Sequence, residues 1–194
     1  RLGTCRLFSE KIASSRPIFS ATAVRTVAGT NLNPANASPL QWDNDVSNTG
    51  FTHSDSSNSQ NVTLNSAGKY LVYVNLPLQS AGQRVSPQMM VKLGGNEVTG
   101  GVATQGYLRN QNGINKSSLH WVGMVSSGSS NQVLTVEVKK RSTVGTNTTV
   151  PSGEKGSIFI EKLANTNNLF SATATQTTAS NANNWNTAGE VKWS

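Results

Sequence analysis

The chain has 194 residues, of which only 13% are charged and 35% hydrophobic, and it carries a formal net charge of +7. Its single cysteine, Cys5, excludes an intrachain disulfide and a thiolate zinc centre, and no apolar run approaches the roughly 20 residues of a membrane-spanning helix. The Lys and Arg residues are scattered apart from Lys139-Lys140-Arg141, so the positive charge offers no converging track for phosphates, and neither nucleic acid nor membrane is expected as a partner.

Asn, Ser, Thr and Gly dominate the remaining positions. Thr and Val suit strands, whereas Asn, Ser and Gly suit tight turns, so the composition points to a β-rich extracellular or virion protein. Taken in chain order, a two-residue period predicts strands near 18–25, 39–43, 59–64, 69–78, 87–93, 96–107, 117–126, 131–141 and 156–163, with no helix. Asn- and Gly-rich turns such as Asn112-Gly113 and Ser127-Gly128-Ser129 separate them. Many short strands with turns at this spacing predict an all-β sandwich or jelly roll.

The strand faces differ in kind. Leu134, Val136 and Val138 alternate with Thr135, Glu137 and Lys139, which predicts one buried and one wet face. The strand over 69–78 is apolar on both sides: Tyr70, Val72, Val74 and Leu76 form one face, and Leu71 and Tyr73 load the other. In 117–126, Leu119, Trp121 and Val125 oppose His120, Val122 and Met124, and in the last strand Ile158 and Ile160 oppose Phe159. A two-layer sandwich covers only the inner face of each sheet, so a second apolar face calls for another subunit or a neighbouring domain.

The chain also ends as it begins. Residues 1–43 align without a gap on 152–194 at an offset of 151, with 14 identities in 43 positions. Phe8, Glu10, Lys11 and Ala13 recur as Phe159, Glu161, Lys162 and Ala164, Phe19-Ser20-Ala21-Thr22-Ala23 recurs as Phe170-Ser171-Ala172-Thr173-Ala174, and Trp42 recurs as Trp193. A period of this length is one domain rather than one solenoid repeat. The expected organisation is a last strand of a preceding repeat at 1–13, a complete domain at 18–164, and the first strands of a following repeat at 169–194. The start at Arg1, with neither initiator methionine nor signal peptide, fits a segment of a longer polypeptide. Phe8, Ile12, Phe170 and Trp193 mark the repeat junctions, whose orphan strands at 5–13 and 169–193 are expected to pair with neighbouring copies. An ancient duplication within one domain is the alternative origin.

Phe19-Ser20-Ala21, then Ala67-Gly68-Lys69-Tyr70-Leu71-Val72-Tyr73-Val74, then Gly156-Ser157-Ile158-Phe159-Ile160 resemble the tumour-necrosis-factor-like and complement globular-head superfamily, in the style of viral or bacterial tail-fibre modules. The Gly-x-Tyr step of that family matches Gly68 and Tyr70. The resemblance implies a TNF-like jelly-roll β-sandwich, the first and last strands side by side in one sheet, and trimerisation through that sheet. Leu71, Tyr73, Val122, Met124 and Phe159 are then the expected oligomer interface.

Catalytic chemistry finds little support. His53 and His120 are the only histidines, and neither has a Cys or carboxylate at a metal-ligand spacing in sequence. No nucleophile elbow or phosphate loop is seen, and His120, beside Trp121 in an apolar strand, reads as packed or interfacial. Asp43, Asp45 and Asp55 could offer calcium ligands, but they lack the rest of a calcium loop and read as solvated turn carboxylates. Asn36, Asn61, Asn115 and Asn147 begin sequons that arise readily by chance in such a composition. No enzyme activity, cofactor or metal is therefore expected.

The expected function is structural: a module of a fibre, filament or virion appendage, self-associating as a trimer, pseudo-trimer or head-to-tail chain. The alternative is a recognition module binding surface glycans or a protein receptor through loops near 43–58 and 108–117, where Tyr107, Asn110 and Asn112 could stack on and hydrogen-bond a sugar.

Overall fold

In the computed structural model of the chain, residues 17–24, 31–104, 108–109, 115–141 and 148–163 are described. Among them all regular structure is β. The strands are β1 (Ile18–Val24), β2 (Ser38–Pro39), β3 (Trp42–Thr49), β4 (Phe51–Thr52), β5 (Val62–Leu64), β6 (Gly68–Ser80), β7 (Gln83–Val85), β8 (Pro87–Leu93), β9 (Asn96–Thr104), β10 (Leu108–Arg109), β11 (Lys116–Ser127), β12 (Gln132–Lys140), β13 (Thr148–Thr149) and β14 (Ser157–Lys162).

They form two main antiparallel sheets. The first runs β11-β6-β14-β1-β3 with β13 added on β6, the second runs β4-β5-β12-β8-β9 with β2 added on β12, and β7 and β10 make a separate pair. The expected neighbours β1 and β14 do pair, with Phe19 opposite Ile160 and Ser20 opposite Phe159. Between the sheets, Phe19, Trp42, Tyr70, Val72, Val74, Leu76, Ile158 and Ile160 of the first meet Val62, Leu64, Met89, Val91, Leu134, Val136 and Val138 of the second, all essentially without solvent contact. Each such aliphatic side chain contributes about 1.5–3 kcal/mol of burial free energy.

The Gly-x-Tyr step has a local physical reason. Gly68 holds φ at 146°, and a Cβ there would come within 2.8 Å of Lys162 Cε. Only glycine fits without strain. Two residues on, Tyr70 turns into the core and its hydroxyl donates to the Ser66 carbonyl, while Lys162 Nζ donates to Ser66 Oγ at 2.7 Å. The turn entering β6 is thereby tied to the end of β14.

Several boundaries depart from the sequence reading. Strand 39–43 is displaced: β3 occupies Trp42–Thr49, most of which reads as a polar loop. Asp43, Asn44, Asp45 and Asn48 favour turns locally, yet the β1 backbone recruits them, with Trp42 opposite Val24 and Thr49 opposite Ile18 across a register shift between Ser20 and Ala21. β3 is the edge of its sheet, where charged side chains block further pairing. The short strands β2, β4, β7, β10 and β13, of two or three residues, are too brief for any period to declare. β9 is described over Asn96–Thr104, and residues 105–107 of the expected strand lie outside the described residues.

Candidate functional site

The apolar face of interest begins with β6, the longest strand at 13 residues. Its buried residues alternate strictly from Tyr70 to Ser80, which turns Leu71 and Tyr73 away from the core. In β11 the same alternation buries Leu119, Trp121 and Val125 and turns out His120, Val122 and Met124. In β14, Ile158 and Ile160 go in and Phe159 goes out.

Register then brings these outward residues together. Val122, Tyr73 and Phe159 are successive partners across β11, β6 and β14, and Met124 and Leu71 are partners in the adjoining row. The five residues form one two-row apolar patch on the outer face of the first sheet. Polar positions frame it: His120, Asn75 and Ser157 make up the next row on one side, and Glu161 completes the row of Met124 and Leu71. Neighbouring strands lie about 4.8 Å apart and successive same-face residues about 6.7 Å apart, so all five side chains reach one another's surroundings. Tyr73 is 39% exposed and Val122 66% exposed, and they are the exposed large hydrophobics among the described residues.

Two anchors make this face rigid. Trp121 points into the core, and its Nε1 donates to the Gly100 carbonyl of β9 in the second sheet at 2.7 Å. Its indole lies over Gly123, where a Cβ would come within 2.6 Å of Trp121 Cζ2. The outer face of the second sheet is finished differently, with Lys92 Nζ donating to Glu137 Oε2 at 2.6 Å. An ion pair stands there, beside Met90 and Val102, where the first sheet's outer face carries its apolar rows.

His120 stands exposed beside the patch, with Nε2 2.6 Å from Ser118 Oγ, so it is not packed. The polar reading of 43–58 as a binding loop is altered, since its first seven residues belong to β3. Tyr107, Asn110 and Asn112, and the junction residues Phe8, Ile12, Phe170 and Trp193, lie outside the described residues.

A second constellation escaped the sequence reading. Asp45 on β3, His53 just after β4 and Asp55 in the following loop converge, with one ligand-type atom from each lying within 4.8 Å of the others. His53 Nδ1 is 2.9 Å from Asp45 Oδ1 and 3.5 Å from Asp55 Oδ1. Asp45 lies on β3 rather than in a turn, and in space His53 has carboxylate neighbours that the sequence did not offer at a metal-ligand spacing. Spacing along the chain gave no hint of Asp45's part in the constellation, because that contact depends on the placement of β3 as an edge strand. The His-x-Asp step at 53–55 was the one available signal.

No protein-family model matches the sequence, and no curated protein matches it. Solved structures do. A crystal structure of murine APRIL at pH 8.0 superposes with a TM-score of 0.53 over 77% of this chain and all of that one, at 11% identity. A second, of murine APRIL at pH 5.0, gives a TM-score of 0.50 at the same coverage and identity. At this identity the likeness is one of fold, and the fold is the TNF-like jelly roll.

Proposed function

We propose that the chain is a structural module that assembles with copies of its own domain through the outer face of the first sheet, in a fibre, filament or virion appendage. The observation that carries this reading is the aligned patch of Val122, Tyr73, Phe159, Met124 and Leu71. An apolar centre with a polar frame is the anatomy of a protein–protein interface. The occupant is another copy for two reasons. The family resemblance implies trimerisation through this sheet, and a tandem array with the 151-residue period, of which this chain carries Phe8 as the counterpart of Phe159, would put like surfaces on one polypeptide at high effective concentration.

The repeat also suggests how units join end to end. Within the described domain Ser20 is partnered with Phe159. Shifted by one repeat, the corresponding residues are Ser171 and Phe8. The tail strand of one copy and the head strand of the next therefore carry the same complementary pair, and we propose that they pair in the same register. The assembly is non-enzymatic.

Electron microscopy of the purified full chain, without added ligand, tests the reading. Trimers or regular beaded filaments are expected. Dispersed single domains, together with glycan binding on an array, would transfer the assignment to the recognition module.

A further inference from the structure

We propose that Asp45, His53 and Asp55 hold a divalent transition-metal ion of the zinc class, which clasps the edge strands of the two sheets. The proton on His53 has a defined place. Its Nε2 lies 2.9 Å from the Ser59 carbonyl oxygen, which can only accept, so Nε2 carries the hydrogen. The same carbonyl also accepts from Trp42 N at 3.0 Å, which fixes it in place.

In the neutral ring, Nδ1 is then a lone pair. It faces carboxylate oxygens of Asp45 and Asp55 at 2.9 and 3.5 Å, so three electron-rich atoms converge. Nδ1 and Asp45 Oδ1 are both buried, and neither makes a hydrogen bond among the described residues, although they lie 2.9 Å apart. The His53 side chain is fully buried, with the Phe19 ring packed against it at 5.1 Å between centroids. A cation at the point where the three atoms converge resolves the repulsion without a proton.

The dimensions fit. Ligand–zinc bonds of about 2.0–2.1 Å place neighbouring ligands about 2.9–3.4 Å apart, for octahedral to tetrahedral angles. The outer contacts fit as well. A metal-binding imidazole typically donates its other N–H to a backbone carbonyl, as His53 does to Ser59, and a ligating carboxylate is itself hydrogen-bonded, as Asp45 Oδ2 is by Asn48 Nδ2 at 3.2 Å. Asp55, half exposed, leaves a path from solvent and room for water as a further ligand. Imidazole with two carboxylates suits zinc-class ions, whereas calcium takes six to eight oxygens.

The position gives the ion a task. Asp45 belongs to β3, the edge of the first sheet, and His53 follows β4, the edge of the second. The ion ties these edges together, as a staple in a chain whose one cysteine cannot form an internal disulfide.

Titration of the folded full chain with Zn²⁺, followed by calorimetry and by the visible absorption of Co²⁺ in its place, tests this. Binding of one ion is expected, with the melting temperature raised by about 5–10 °C at a hundredfold excess over the dissociation constant. Asp55→Asn, at an exposed position that preserves the fold, should weaken binding at least tenfold, and His53→Gln should abolish the Co²⁺ spectrum. The proposal is overturned if the folded chain binds no Zn²⁺, if Asp55→Asn binds as tightly as the native chain, or if Ca²⁺ binds as tightly as Zn²⁺.

Discussion

Tyr73 and Val122 are direct partners across β6 and β11, and both point out of the sandwich into solvent. A cross-strand pair of an aromatic and a β-branched residue stabilises a sheet by roughly 0.2–1 kcal/mol. That gain needs no such exposure. Next to them, Phe159 continues the row on β14, which makes the pair the centre of a surface rather than an isolated contact.

The opposite sheet shows what a solvated outer face looks like in this chain. Lys92 and Glu137 are partly buried, at 24% and 18% side-chain exposure, and lie 2.6 Å apart. A double-mutant cycle with Lys92→Ala and Glu137→Ala, read by urea unfolding, should give a coupling of about 0.5–1 kcal/mol. Assembly should be unaffected by either change.

Gly123 holds the interface strand in shape from the core side. A methyl group there meets the Trp121 indole at 2.6 Å, and that indole is bonded across the sandwich to Gly100. Gly123→Ala should cost about 1–3 kcal/mol through displacement of the ring. Trp121 fluorescence together with urea unfolding checks this, and an unchanged midpoint would mean that the ring shifts freely.

Gly68 is constrained by its backbone as well as by space. With φ at 146° and Lys162 beside it, Gly68→Ala should destabilise the domain by about 1–3 kcal/mol, measured by thermal unfolding. Lys162→Ala in the same background should not recover the loss, because the backbone strain remains.

The end-to-end proposal is tested by removing one end. Deleting 169–194 should leave the 18–164 domain folded and able to form lateral contacts, while abolishing filaments in electron micrographs. Filaments of unchanged length after this deletion would exclude pairing between head and tail strands.

Much of this fold is legible in the sequence where side chains alternate. The core faces of β6, β11, β12 and β14 can be read directly because most inward positions are Leu, Val, Ile, Tyr or Trp, with Gly123, Ser80 and Ser127 as exceptions, and an alternation error would have flipped every residue. The outer patch is legible for the same reason: a residue such as Tyr73, apolar and out of phase with the core, has no place in the sandwich interior. β3 was not legible, because Asp43-Asn44-Asp45 has the local chemistry of a turn and is extended only by its pairing with β1. The Asp45–His53–Asp55 cluster inherits that difficulty, since it forms only once the edge strand is in place.

Sedimentation velocity of the full chain beside its Tyr73→Asp variant, with Thr135→Asp on the second sheet as a control, reads assembly through the outer face of the first sheet. The native chain and the control should sediment as trimers or larger assemblies, and Tyr73→Asp should weaken association at least about 30-fold, as expected for a central interface residue worth about 2 kcal/mol or more. A monomeric native chain, or a folded Tyr73→Asp variant that assembles as the native chain does, would contradict it.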